Sequence, residues 1–165
     1  MKTITWIIFK LKDLKARSLL FLFINFVLVL YVGNVLMDNG ATSEWYLNLQ
    51  KAPWTPDGWV FGFAWTFLMI CFAVYLAKLS QMSNSKKLIV LVIVQYILNI
   101  IWNYIFFNQQ EIILGLIDIL LLTFIVAFIL FKYLPIMKSY SILILPYFIW
   151  LLIATSLNLY IAIYN

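Results

Sequence analysis

Histidine is absent from the 165-residue sequence, and cysteine occurs once, as Cys71. Without histidine, the commonest axial ligand of haem iron and the commonest general base are both missing. A lone cysteine rules out an intrachain disulfide and any cysteine-based metal site, so no metal-ligand set is expected. Charge is scarce too: 10% of residues are charged against 66% hydrophobic, far from the composition of a soluble globular domain. No internal repeat is visible, which argues against an inverted-repeat transporter. With neither paired carboxylates nor an activated nucleophile, ordinary acid–base catalysis is not expected.

What is present is a series of long uncharged runs. They cover residues 18–37, 58–77, 88–110, 112–131 (interrupted only by Asp118) and 139–165. About 20 apolar residues cross a ~30 Å hydrocarbon core as a helix. The runs lack the period-2 alternation of an outer-membrane barrel. The expected fold is an all-α membrane protein, a five-transmembrane-helix bundle. Its spans are placed near 18–37, 58–79, 88–107, 112–133 and 140–164, with a long loop at 38–57. Residues 1–17 form a basic cytoplasmic segment in this reading. Their apolar piece Trp6–Phe9 is too short for a signal peptide. Ile4, Ile7, Ile8, Leu11 and Leu14 recur at helical spacing, which suits either a short surface helix or a basic tail.

All of the 11 basic residues except Lys51 fall on one side of such a bundle. The positive-inside rule then puts the N-terminus in the cytoplasm and the C-terminus outside the cytoplasmic membrane. The net charge of +5 is thereby read as a membrane signal, with no nucleic-acid partner expected. Short loops make consecutive helices antiparallel neighbours. Thr55 and Pro56 look like an N-cap and a first helical residue. Pro146 is expected to kink the fifth span.

Polar groups inside the spans carry the functional signal, because lipid offers them no partner. Gln95, Asn99, Trp102 and Asn103 share one face of the third span, and Trp150, Ala154 and Asn158 one face of the fifth. Counted from the span ends, Trp65, Asn103, Asp118 and Asn158 all lie roughly 10–12 Å deep on the side of the long loop. Apolar walls with a few convergent polar groups make a ligand pocket. Gln95 and Asn99 also suit interhelical packing. Asp118 suits either a structural hydrogen bond or a ligand or proton role. Trp6, Trp45, Trp54 and Trp59 fit an interfacial belt, whereas Trp65 and Trp150 lie too deep for one.

Four motifs then stand in order: "WYLNLQKAPWTPDGWVFGFAW", "QYILNIIWNYIFF", the aspartate of "LIDILLL", and "PYFIWLLIATSLNLYIAIYN". Over residues 20–165 the sequence resembles the TspO/MBR translocator protein family, the tryptophan-rich sensory proteins or peripheral-type benzodiazepine receptors. The resemblance implies a homodimeric five-helix protein that binds porphyrins and synthetic isoquinoline or benzodiazepine-type ligands. Tyr46, Trp65, Asn99, Trp102, Asp118, Trp150 and Ala154 match pocket positions. Asn103 joins them by depth. The loop after the first span would be a lid, with Trp45, Pro53, Trp54 and Pro56 setting its path. Some bacterial relatives degrade protoporphyrin in light, and the tryptophans implicated match Trp65 and Trp150. Two departures stand out. The family's KPPW.PP is here Lys51-Ala52-Pro53-Trp54-Thr55-Pro56-Asp57, and no base follows Tyr160 where a sterol motif wants one.

The functional expectation is a membrane sensor or regulator that binds a tetrapyrrole. The alternatives are a light-dependent porphyrin-degrading enzyme using Trp65 and Trp150, and a porphyrin or lipid transporter. No cofactor is required. The expected partners are porphyrin or a similar apolar planar ligand, membrane lipid and a second copy of the chain.

Overall fold

The computed structural model describes residues 2–83 and 85–165, with side chains from residue 11 onward. Among these, five helical runs are long and apolar enough to span a membrane: Leu11–Met37, Gly58–Met82, Lys86–Asn108, Ile112–Leu143 and Leu145–Tyr164. No strand occurs among the described residues. Large apolar side chains such as Phe23, Phe63, Phe124 and Phe131 remain exposed, as expected of helices whose outer faces meet lipid.

The first span is built from α1 (Lys2–Ile24), a π-helical stretch (Asn25–Val32) and α2 (Gly33–Met37). The short surface helix expected in residues 1–17 is not separate, since the backbone is helical without a break from Lys2. The side chains of Ile4, Trp6, Ile7 and Ile8 lie outside the described residues. The loop carries a short α3 (Glu44–Asn48), whose N-cap Ser43 accepts from Tyr46 N at 3.2 Å. Then follow α4 (Gly58–Met82), α5 (Lys86–Asn103) continuing as a π-helix (Tyr104–Asn108), α6 (Ile112–Met137) and α7 (Leu145–Tyr164).

Three local expectations need correction. The second span starts at Gly58 with Asp57 as N-cap, not at Pro56. Thr55 N instead bonds Ala52 O at 2.9 Å, closing a turn with Pro53 at its second position. Pro146 does not kink the fifth span. It sits in the first turn of α7, where its missing N–H has no helical partner to lose. The proline inside a helix is Pro135, since α6 runs on to Met137 and ends at Lys138 with φ 49°.

Buried polar side chains tie the spans together. Asn25 donates to Met69 O at 2.8 Å and accepts from the Tyr96 hydroxyl at 2.5 Å, joining the first span to α4 and α5. Gln95 and Asn99 of α5 both donate to the Tyr147 hydroxyl of α7, Gln95 at 2.8 Å. Thr123 and Thr155 bond at 3.0 Å between α6 and α7. At the end away from the loop, Arg17 pairs with Asp13 at 3.0 Å and reaches Ser80 O at 3.3 Å. Interhelical bonds of this kind contribute about 0.6 kcal/mol each, up to ~1.7. They set which faces meet more than how tightly.

Candidate functional site

In the loop-side half of the bundle lies a cavity of about 870 Å³. Each of the five spans contributes wall. The first gives Phe26, Val29, Leu30 and Asn34, α4 gives Phe61 and Trp65, and α5 gives Asn99, Trp102 and Asn103. Ile119 and Leu122 come from α6, and Trp150, Ala154 and Asn158 from α7. Tyr46, Lys51, Thr55 and Pro56 of the loop close the end.

Eight of the residues singled out from sequence inside the spans or by motif meet on this wall: Tyr46, Trp65, Asn99, Trp102, Asn103, Trp150, Ala154 and Asn158. Asp118 does not. It is buried at 5% exposure in α6, and its neighbour Ile119 faces the cavity instead. Counting residues from a span end fixes depth but not the direction a side chain takes around the helix. Of the four loop residues, Pro56 lines the cavity, while Trp45, Pro53 and Trp54 hold the loop from outside it. The wall supplied by Phe26, Val29, Leu30 and Asn34 was missed, as was Tyr147, whose hydroxyl gathers Gln95 and Asn99.

The walls are aromatic. Trp102 stacks on Phe106 at 5.1 Å between centroids, with 9° between planes. Trp150 meets Phe61 edge-on at 5.5 Å, and Trp65 meets Tyr147 edge-on at 6.1 Å. The few polar atoms are placed sharply. Asn158 gives its N–H to Ala154 O at 3.0 Å, and its Oδ1 has no partner among the described residues. The indole N–H groups of Trp102 and Trp150 likewise have none. Buried polar atoms nearly always find a partner, so these three, on residues that line the cavity from α5 and α7, are exceptions to that rule. At the mouth, Lys51 Nζ lies 4.5 Å from the centre of the Tyr46 ring. Burial pushes the Tyr46 phenol's pKa up, so this ring stays neutral. Among the described residues, no three His, Cys, Asp or Glu side chains cluster to hold a metal.

The loop is fastened at two places. Gly40 packs so closely on the π-helix that an added Cβ would stand 2.5 Å from Phe107 Cβ and 2.9 Å from its carbonyl oxygen. Trp45 and Tyr46 meet Phe106 and Phe107 edge-on at 5.6 and 5.1 Å. Further along, Trp54 Nε1 donates to Ser156 Oγ at 3.1 Å, and its ring meets Tyr160 edge-on at 5.5 Å.

Fold and site together define a helical integral membrane protein with an aromatic cavity among its spans, covered by a pinned loop. A sequence model of the TspO/MBR family matches residues 20–164, and the chain belongs to that family. It is 33% identical over 127 residues to the Tryptophan-rich protein TspO of Archaeoglobus fulgidus, covering 76% of this chain and 82% of that one. Against the Tryptophan-rich sensory protein of Cereibacter sphaeroides it is 30% identical over 116 residues, 70% and 73% of the two chains. Against the human Translocator protein it is 30% identical over 125 residues, 73% and 74%.

Proposed function

We propose that the protein is a tetrapyrrole-binding membrane sensor or regulator, with porphyrin or a similar apolar planar ligand held in the cavity beneath the loop. The observation that carries this reading is the meeting of Phe61, Trp65, Trp102, Phe106 and Trp150 around one cavity of about 870 Å³. That volume lies within the ~300–1,000 Å³ of small-molecule sites. Flat aromatic faces suit a planar ring, and the side-chain amides of Asn34 and Asn103 on the wall suit polar groups at its edge. The word "sensory" in the name of the Cereibacter sphaeroides relative agrees. The chain would work as a homodimer in the cytoplasmic membrane, N-terminus inside, with the loop side outside. The test is titration with protoporphyrin in darkness, read by porphyrin fluorescence. Saturable binding supports the reading, and unsaturable partition equal to that of protein-free liposomes refutes it.

A second reading, light-dependent oxidation of the bound porphyrin, rests on Trp65 and Trp150 both facing the cavity. Indoles are readily oxidised, so they could exchange electrons with an excited porphyrin. Following absorbance of the same complex under illumination separates breakdown from simple binding.

A further inference from the structure

The cavity wall is unevenly closed. The residues that α5, α6 and α7 give it are buried or half-buried, from Asn99 and Trp102 through Ile119 to Asn158. On the opposite side, Phe26 and Asn34 of the first span and Gly58, Gly62 and Thr66 of α4 line the cavity while remaining exposed. The two helices are joined low down by the bond from Asn25 to Met69 O. Above it they part, because α2 packs against α5 and its π-helical continuation. A slot results, with Gly58, Gly62 and Thr66 along one rim at a spacing of one helical turn. Cβ atoms added at Gly58 or Gly62 would meet nothing within 4 Å. Phe26 and Thr66, measured from the loop-side ends of their helices, put its floor about 12–16 Å into the membrane. Thr66 gives its hydroxyl to Gly62 O at 2.8 Å, so it leaves no free donor facing lipid.

We propose that this slot is a lateral portal, through which an apolar planar ligand passes between the loop-side leaflet and the cavity without displacing the loop. The proposal rests on the reading of the cavity as the site for such a ligand. Three facts support it. Apolar ligands concentrate in the bilayer rather than in water. The loop end is pinned by Gly40, Trp45, Tyr46 and Trp54, as described above. And the wall residues across the cavity, Asn99, Ile119 and Asn158 among them, are buried, which leaves the slot as the open side in the plane of the membrane. Small residues one turn apart can also seat a second helix, and the test must separate the two uses.

The full chain is placed in liposomes, and protoporphyrin uptake and release are followed in darkness by stopped-flow fluorescence. Gly62→Leu fills the slot, and Asn34→Phe narrows it from the other rim. The second variant serves if the first does not insert. A blocked route lowers the on-rate and the off-rate together, here by roughly tenfold, whereas a lost contact raises the off-rate alone. Wild-type rates in both variants overturn the portal. So does a change of oligomeric state on cross-linking with unchanged rates, which would make the stripe a helix-packing surface. If wild type shows no saturable equilibrium binding, the reading of the cavity itself fails and the portal with it. Binding with unaffected variant rates removes the portal alone.

Discussion

The side-chain amide of Asn165 grips the backbone of Gln50, accepting from its N–H at 2.9 Å and donating to its carbonyl at 3.2 Å. One amide thus satisfies both hydrogen-bonding groups of a loop residue, as a neighbouring strand would. Together with Trp54 on Ser156, it fastens the second half of the loop to α7.

Loosening this fastening should speed ligand release. Asn165→Ala removes both bonds, and Pro53→Gly with Pro56→Gly adds backbone freedom that the bound state must suppress. Both variants are expected to raise the protoporphyrin off-rate more than they change the on-rate. Unchanged off-rates in folded protein would make the loop a plain connector.

The contact of Gly40 with Phe107 tests the other fastening. A methyl group at position 40 has no room before the Phe107 backbone, so the loop or the π-helix must shift. Gly40→Ala should destabilise the protein by about 1–3 kcal/mol, the usual cost of overpacking. Gly62→Ala, where the added carbon meets nothing, is the control. Thermal unfolding in detergent reads the difference, and equal midpoints would refute the contact.

Tyr147 separates packing from ligand contact in the α5 network. Tyr147→Phe leaves the N–H groups of Gln95 and Asn99 without their shared acceptor. The expected loss of stability is about 0.6–1.7 kcal/mol. Ligand affinity should change little, since Tyr147 is fully buried and does not line the cavity. A large affinity loss at unchanged stability would move Tyr147 into the binding site.

Much of this architecture was legible in the sequence, for a physical reason. Hydrocarbon thickness dictates helix length, so runs of uncharged residues mark the spans, and the level of Trp65, Asn103 and Asn158 follows by counting. Orientation around the helix axis was not legible for Asp118, where one residue's difference decides between wall and packing. Nor was it for the first span. Phe26, Leu30 and Asn34 recur four residues apart, but apart from Asn34 that face is apolar like most of the span, so no polar signal marked it as wall. Proline misled at residue 146 because its effect depends on whether the missing N–H is needed, and in a first turn it is not.

Orientation in the membrane has a direct check. Since all basic residues but Lys51 share one side, a reporter fused after Asn165 should be active only outside the cytoplasm. Cytoplasmic activity at that end would reverse the assignment.

The two deep tryptophans should matter differently in darkness and in light. Trp65→Phe and Trp150→Phe keep most of the apolar bulk, so the bundle should fold. Dark affinity should weaken by about 0.5–1.5 kcal/mol, the worth of an aromatic pair beyond its buried area. Any photochemical conversion should fall much further, because phenyl is not readily oxidised. If both variants convert porphyrin like wild type, these indoles are packing groups.

The most direct test of the cavity as the ligand site is to fill it. Ala154 sits on its wall at 8% exposure, and Ala154→Phe places a ring where the planar ligand would lie. Saturable protoporphyrin binding in darkness is measured for wild type and variant, with helicity checked by circular dichroism. The account predicts saturable binding to wild type and at least a roughly tenfold weaker affinity in the variant, about 1.4 kcal/mol. Equal affinity in a folded variant would place the ligand elsewhere and contradict it.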